Sequence, residues 1–489
     1  MKGYKYLFKN IGLLTISQFG TKILVFLLVP LYTSVLSTSE YGTYDLFVTT
    51  INLLVPIVTL NLSDAVLLFA LDEKVDCSEV LSIGLKYSLY GFFASLLFLI
   101  INLAIDFFPA ITLYWYYFPV LLLLTIINTL FTGFSRGIDK VKETSISGII
   151  CSATMIGCNL LFLLVLKWGL HGYFLANIIA MTTQIIYLYI SCELKKFINP
   201  KINGKLEKEM KNYSMPLIMN NVGWWVNNSS DRYIVTWLSG ISANGIYSVG
   251  YKIPSILNMF QSIFSQAWTM SAVKDFDSND SNGFFSKMYS IYNCGMVLVC
   301  SAIVMTSRLL AHILYVNDFF TAWQYVPFLT IAIVFGSLSG FFGGIFAAAK
   351  DSKLFGKSTI ISAIINIILN IAFVFFVGPI GASLATLISY FIVWYIRLRH
   401  VQKHIAIKIN LKRDYISYFI LLIQGTILFI LNDSLLLYFI ECCLYILILV
   451  YFVLYNRKNL RLLGLLCSVT LPILINLFYV CDFCLKITL

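Results

Sequence analysis

The sequence predicts an all-α, polytopic membrane protein of about fourteen transmembrane helices, built as two six-helix repeats with further helices at the C-terminal end. Three observations carry that prediction. First, the 489 residues are 59% hydrophobic and only 12% charged, with a mean hydropathy of +0.86, which leaves no charged shell for a water-soluble domain. Second, long apolar runs recur from one end of the chain to the other, and a run of about 20 residues crosses a hydrocarbon core of roughly 30 Å. Third, the Lys and Arg residues fall almost entirely in alternate gaps between those runs. A transmembrane β-barrel would need short alternating segments and a polar lumen, and the sequence has neither.

The expected spans are 9–36, 42–70, 80–105, 111–135, 144–166, 172–192, 214–238, 245–273, 286–306, 321–349, 358–377, 380–398, 415–431 and 434–455. Of 34 Lys and Arg, 27 flank the spans on one side, among them Lys2, Lys74, Arg136, Lys195, Lys274, Lys350, Arg397, Arg413 and Arg457. The other side holds only Lys167, Arg308 and Lys486. By the positive-inside rule the cation-rich side, with the N-terminus, is cytoplasmic. Lys2, Lys5 and Lys9 precede an apolar run from Ile11 to Leu36, too long for a signal peptide and without a small-residue cleavage pattern.

Internal similarity organises the rest. Gly42-Thr-Tyr44 and Gly245-Ile-Tyr247 are 203 residues apart, Tyr87-Ser-Leu-Tyr90 and Tyr289-Ser-Ile-Tyr292 are 202 apart, and Gly172-Tyr-Phe-Leu-Ala176 and Gly381-Ala-Ser-Leu-Ala385 are 209 apart. Near-constant offsets between spans of equal parity imply two repeats of the same orientation, related by an axis along the membrane normal. The expected organisation is an N-terminal lobe over 1–193, a cytoplasmic linker over 194–213, a C-terminal lobe over 214–400, two further spans over 401–455, and an apolar tail over 456–489 with room for one more span.

Several functions are excluded. The net charge of +11 is dispersed around spans and forms no basic stripe, so no nucleic-acid partner is expected; the cations face anionic lipid heads. The predicted loops are too short to fold as catalytic domains, and no nucleophile elbow or metal-spaced His/Cys cluster occurs, so no enzyme, cofactor or metal site is expected. Gly356-Lys357-Ser358 resembles the end of a phosphate-binding loop but lacks its first glycine, with Asp351 there, and follows a helix. The eleven Cys lie mostly within spans, where thiols act as small apolar groups.

Charges inside spans mark the candidate site, because a cation in hydrocarbon persists mainly where it has a partner or a task. Lys22 lies in the middle of the first span and either contacts cargo or pairs with Asp45 or Asp64 of the second. Arg232 and Lys252 flank the turn near 239–244, each about 10 Å deep, and either face a cavity or snorkel outward. The polar run Asn220-Asn221 and Asn227-Asn-Ser-Ser230 beside Arg232 favours a wet cavity, with Asp231 holding a nearby cation. Lys86 belongs to the cytoplasmic rim or the site. Trp224, Gln266 and Trp268 supply rings and an amide suited to a sugar, or ordinary bundle packing. Glu441 in the last span reads as a helix-packing residue.

The stretch Phe19-Gly-Thr-Lys22-Ile, Phe26-Leu-Leu-Val-Pro30-Leu-Tyr32-Thr and Leu36-Ser-Thr-Ser-Glu40-Tyr-Gly42-Thr-Tyr-Asp45 resembles the opening of the Wzx-type oligosaccharide flippases of the multidrug/oligosaccharidyl-lipid/polysaccharide (MOP) exporter superfamily. Asp231-Arg232-Tyr-Ile-Val, Gly245-Ile-Tyr-Ser-Val-Gly-Tyr-Lys252-Ile-Pro254 and Asn366-Ile-Ile-Leu-Asn370 with Gly378-Pro-Ile-Gly381-Ala are similar to that family too. The resemblance covers about 1–455. It implies passage of a polyprenyl-diphosphate (undecaprenyl-diphosphate) oligosaccharide, the repeat unit of an O-antigen, lipopolysaccharide or capsule, to the outer leaflet of a bacterial inner membrane. It also implies contact with other polysaccharide-assembly membrane proteins. Where relatives often carry Arg near the end of the second span, this chain has Leu68, and the apolar tail is a further departure. A diphosphate fits a cationic cavity on chemical grounds, since Arg offers it paired donors and Lys a mobile charge. A flippase for another lipid precursor, of the peptidoglycan type, and a small-molecule exporter of the same fold are the alternatives; the latter would call for acidic groups at depth, where this chain has Lys22.

The threading is tested by accessibility. A Cys introduced at Asn203 is expected to react only with reagent on the cytoplasmic side and one at Ser242 only from outside; labelling of both from the same side would overturn the assignment.

Overall fold

A computed structural model describes residues 26–455 apart from 27, 73, 199–203, 275 and 350. Lys22 and the tail from 456 lie outside the described residues. The described residues are predominantly helical, without strands, and eleven of their helices are long and apolar enough to cross a membrane. These eleven coincide with all the expected spans except the first, seventh and eighth. The protein is a multi-pass, all-α membrane protein.

The described chain forms two compact units that divide between Ser248 and Val249. The first contains α1 (Val29–Val35), α2 (Thr38–Val58), α3 (Leu62–Ala70), α4 (Cys77–Ile105), α5 (Pro109–Leu113), α6 (Tyr117–Gly137), α7 (Val141–Asn159, continued by a π turn Leu160–Val165), α8 (Gly169–Ser191), α9 (Gly204–Ser239) and most of α10 (Ile241–Gly250). The second contains α11 (Ser255–Lys274), α12 (Phe284–Leu314), α13 (Val326–Ala348), α14 (Ser352–Val377), α15 (Ile380–Val401), α16 (Leu411–Ile430) and α17 (Leu435–Tyr455).

Local chemistry sets these boundaries. A capping box opens α2, with the Ser37 side chain accepting from the Glu40 N–H and the Glu40 carboxylate accepting from the Ser37 N–H. The expected second span is not continuous. Pro56 removes a backbone donor, and Leu60 and Asn61 adopt left-handed φ of 51° and 52° before α3 begins. Gly91 of α4 lies against the carbonyl of Val58 at this break, where a Cβ would sit 2.8 Å from the oxygen. The eighth span is divided as well, by a turn at Tyr251–Pro254 that is closed by the Lys252 N–H donating to the Val249 carbonyl at 2.9 Å. Pro254 lacks a donor and disfavours helix in the residue before it, which accounts for the division.

The seventh span is part of a longer helix. The 36-residue α9 starts within the expected linker, where Leu206 and Met210 join a core formed by Leu62, Val66, Leu130, Phe134 and Leu188. Three cations counted as loop charges in the sequence are buried instead. In the second unit, Arg397 is 1% exposed and donates to Ser358 Oγ at 2.9 Å, Thr359 Oγ1 at 2.8 Å and the Ser339 carbonyl at 3.1 Å, with Phe355 under its guanidinium. Arg413 binds the buried Asp414 at 2.6 Å, and Arg308 lies over Trp323 while donating to the Leu428 carbonyl.

Gly42 of α2 and Gly245 of α10, matched by the internal repeat, meet each other. A Cβ on Gly245 would overlap the Thr38 carbonyl, and one on Gly42 would meet the backbone of Gly245. Backbone cannot yield as a side chain can. Gly245→Val is therefore expected to lower stability by about 1–3 kcal/mol or more, read as a reduced Tm of the purified protein. Gly157→Ala, at a position with nothing within 4 Å, is the control and should leave Tm unchanged or raised.

Candidate functional site

The polar run of α9 is less demanding than its composition suggests. Asn227 donates to the Gly223 carbonyl at 2.9 Å, Asn228 to the Trp224 carbonyl at 2.7 Å and Ser230 to the Val226 carbonyl at 2.7 Å. Each of these side chains returns a donor to the helix that carries it, a standard arrangement for short polar groups in apolar surroundings. Arg232, one turn further on, cannot do so.

Its partner is on α2. Arg232 Nη1 stands 3.1 Å from Asp45 Oδ1 and donates to Thr49 Oγ1 at 2.9 Å, and the residue's side chain is 20% exposed. The Trp225 indole donates to the Thr49 carbonyl at 3.0 Å. Thr50 Oγ1 donates to the Leu46 carbonyl and lies 2.5 Å from the Tyr233 hydroxyl, which therefore acts as the donor between the two. The other Asp45 oxygen accepts from Ser248 Oγ of α10 at 2.6 Å. Asp231, 1% exposed, accepts from the Tyr247 hydroxyl at 2.7 Å and from the Arg232 N–H at 3.0 Å. Asn244 donates to the Gly42 carbonyl at 3.3 Å. Helices α2, α9 and α10 are thus joined by one polar network within the first unit.

A second polar contact lies at the break between α2 and α3. Asn61 donates to Asp64 Oδ2 at 2.7 Å and accepts from Asn221 of α9 at 3.0 Å. Asp64 and Asn52 are exposed although both sit within the expected span. Near the start of α9, Glu207 binds Lys86 at 3.0 Å, accepts from the Tyr87 hydroxyl at 2.7 Å and lies 3.7 Å from Lys211. The Tyr87 hydroxyl and the Lys86 ammonium hold the Glu207 carboxyl below its usual range.

The structure thus brings Asp45, Asp231 and Arg232 into one cluster and leaves Asp64 and Lys86 with partners of their own. Lys22, expected either to contact cargo or to pair with Asp45 or Asp64, lies outside the described residues; the described partners of Asp45 are Arg232 and Ser248, and that of Asp64 is Asn61. Asp231, expected to hold a cation beside a cavity, is buried with Tyr247. Lys252 belongs to the second unit, in the turn between α10 and α11. Trp224 is half-buried, and Gln266 lies on α11 with its side chain outside the described positions. Trp268 corrects an expectation. It is fully buried, stacked on Phe341 at 4.2 Å and donating to the Phe341 carbonyl at 2.9 Å, so it offers no open face to a sugar.

Sequence reasoning missed Thr49, Thr50, Tyr233, Tyr247 and Ser248. One signal was available: Asp45 and Arg232 are opposite charges within apolar runs, and such charges pair.

Solved structures of similar fold define the class. A structure described as lipid II flippase MurJ, inward closed, aligns with a TM-score of 0.68 at 18% identity, covering 92% of this chain and 100% of that one. An inward-facing multidrug resistance transporter of the MATE family aligns with a TM-score of 0.67 at 14% identity, covering 79% of this chain and 94% of the other. A MOP superfamily transporter from Pyrococcus furiosus, described as having a binding pocket of reverse polarity, gives 0.59 at 13% identity over 83% and 98% of the two chains. The fold is that of the MOP superfamily transporters. The chain belongs to the polysaccharide biosynthesis protein family, whose pattern matches residues 7–269. A curated relative, the probable low-salt glycan biosynthesis flippase Agl15 of Haloferax volcanii, is 24% identical over 280 residues, 56% of this chain. The match spans 58% of that relative's length.

The Asp45–Arg232 contact is testable by a double-mutant cycle. Asp45→Asn leaves a cation at depth without its carboxylate and should lower Tm. Once Arg232→Gln is present, the same change should matter much less. The expected coupling is about 1–2 kcal/mol, and strictly additive effects would rule the pair out.

Proposed function

We propose that this protein is a flippase that carries a polyprenyl-diphosphate-linked oligosaccharide, a polysaccharide repeat unit, from the cytoplasmic to the outer leaflet of a bacterial inner membrane. Membership of the polysaccharide biosynthesis family and the transporter fold support the reading. The observation that carries it is Arg232, a guanidinium about 10 Å within the expected membrane and oriented by Asp45 and Thr49. An oriented guanidinium suits a diphosphate, which must exchange water for fixed donors when it leaves the interface. Asp45 offsets the charge without a ligand, so an arriving diphosphate competes with one carboxylate rather than with bulk water.

In this reading Lys252 and Lys22 add cationic field, Lys86 attracts the anionic head at the cytoplasmic rim, and Asp64, Trp224 and Gln266 meet the sugars. Asp45 and Asp231 position Arg232 and its neighbours rather than touching cargo. The prenyl tail stays in lipid, and two six-span repeats exchange access between the leaflets without ATP. The N-terminus is cytoplasmic, and other polysaccharide-assembly membrane proteins deliver and receive the cargo.

Transport of a lipid-linked oligosaccharide in cells depleted of their own flippase, at matched protein levels, tests the proposal. Arg232→Gln and Lys252→Gln should each reduce transport by roughly ten- to hundred-fold, as expected for one charge-assisted contact. Arg232→Lys should lose less, and Arg232→Glu should be inactive. Wild-type transport in both Gln variants would remove these cations from the site. Restored export of a cationic drug with no glycan transport would favour the small-molecule alternative.

A further inference from the structure

One ionisable group in the second unit is left unused by the site above. Glu441, on α17, is 0% exposed, and its carboxyl lies beside the Gln424 amide without reaching full hydrogen-bond geometry to any described residue. It lies six residues from the start of the helix, about 10 Å along its axis. Helix α17 packs on α12 and α16; Leu437, Tyr445, Ile448 and Phe452 are buried along with Glu441, while Leu436, Phe439, Ile446 and Leu447 of the same helix are exposed.

The groups facing Glu441 are few. From α16 comes Gln424, whose carbonyl accepts from Ser301 Oγ at 2.8 Å and whose amide donates to the Ser301 carbonyl at 3.1 Å. From α12, at longer range, comes Arg308, which donates to the Leu428 carbonyl and rests on Trp323. On α17 itself Tyr438 and Tyr445, three residues before and four after, share its face, and Cys442 is next in sequence. No cation touches the carboxyl among the described residues. An ionised carboxylate with no cation in contact, and beside it only a neutral amide already donating to the Ser301 carbonyl, is disfavoured in such a place, whereas the neutral acid is tolerated.

We propose that Glu441 is a proton-binding site, occupied while α17 is seated on α12 and α16 and emptied when that contact opens to water. A helix pair that can close only over a protonated carboxyl turns proton occupancy into a conformational preference, because the ionised form favours the open arrangement. The carboxyl therefore belongs to the energetics of a conformational cycle rather than to cargo contact.

The first test needs no cargo. Dicyclohexylcarbodiimide is apolar and adds to protonated carboxyl groups, and the full-length protein in lipid nanodiscs can be treated with it and the adduct located by mass spectrometry. Modification of Glu441 is expected at about pH 6, falling by about tenfold per pH unit once the group ionises, and absent in Glu441→Gln. No adduct at any pH would overturn the proposal, as would labelling indifferent to pH. The second test rests on the transport reading above. In proteoliposomes loaded with lipid-linked oligosaccharide, an imposed pH gradient should change the wild-type initial rate several-fold, and Glu441→Gln should lose that response while keeping its rate without a gradient. A wild-type rate indifferent to the gradient would overturn the coupling. Wild-type protein that moves no glycan at all would refute the flippase reading and leave the carbodiimide result standing.

Discussion

The first unit is organised around the need to neutralise a largely buried guanidinium, Arg232. A cation at the centre of a membrane helix costs about 2.5–3.5 kcal/mol on insertion scales, and more where no water or partner follows it. Asp45 meets that need for Arg232, and its second oxygen is taken by Ser248. The carboxylate therefore fixes α2 against both α9 and α10. Thr49, Thr50, Trp225 and Tyr233 then find their partners within the same contact. The glycine pair beside it is a consequence of the same closeness, since helices linked by side chains as short as Asp, Ser and Asn must bring their backbones together.

Polar residues are handled in two ways along these helices. Asn227, Asn228 and Ser230 return their donors to their own backbone and can sit in apolar surroundings at little cost. Asn61 and Asn221 instead bond across helices, at the place where α2 gives way to α3. Two consecutive left-handed residues there, Leu60 and Asn61, are held against a backbone preference of about 1–2 kcal/mol each. That preference is overridden by packing against Gly91 and by the Asn61 hydrogen bonds, which together hold an exposed carboxylate, Asp64, at the break.

The second unit treats charge differently. Arg397 has no carboxylate beside it among the described residues; hydroxyl and carbonyl oxygens and an aromatic face surround it instead. Arg413 and Asp414 neutralise each other in sequence-adjacent positions, with Ser290 receiving another guanidinium hydrogen at 2.5 Å. Glu441 has no cation in contact among the described residues, only the neutral amide of Gln424 beside it.

Much of the fold was legible because a membrane imposes one rule on every span: backbone polar groups must be satisfied within the segment, so apolar length alone identifies a helix. The eleven spans found in the described residues follow from that rule, and so does the all-α class. The sequence by itself also located Arg232 and Asp231, because ionisable residues inside apolar runs are rare. Tertiary structure alone decided who pairs with whom. Asp45 was as plausible a partner for Lys22 as for Arg232, since periodicity fixes a residue's face but not which distant helix meets that face. For the same reason Trp268 and Arg397 read as a cavity ring and a loop cation, and packing placed both in the interior. The divided second and eighth spans were hidden too: Pro56 and Pro254 mark where a helix is weak, but neighbouring helices decide whether it bends or breaks.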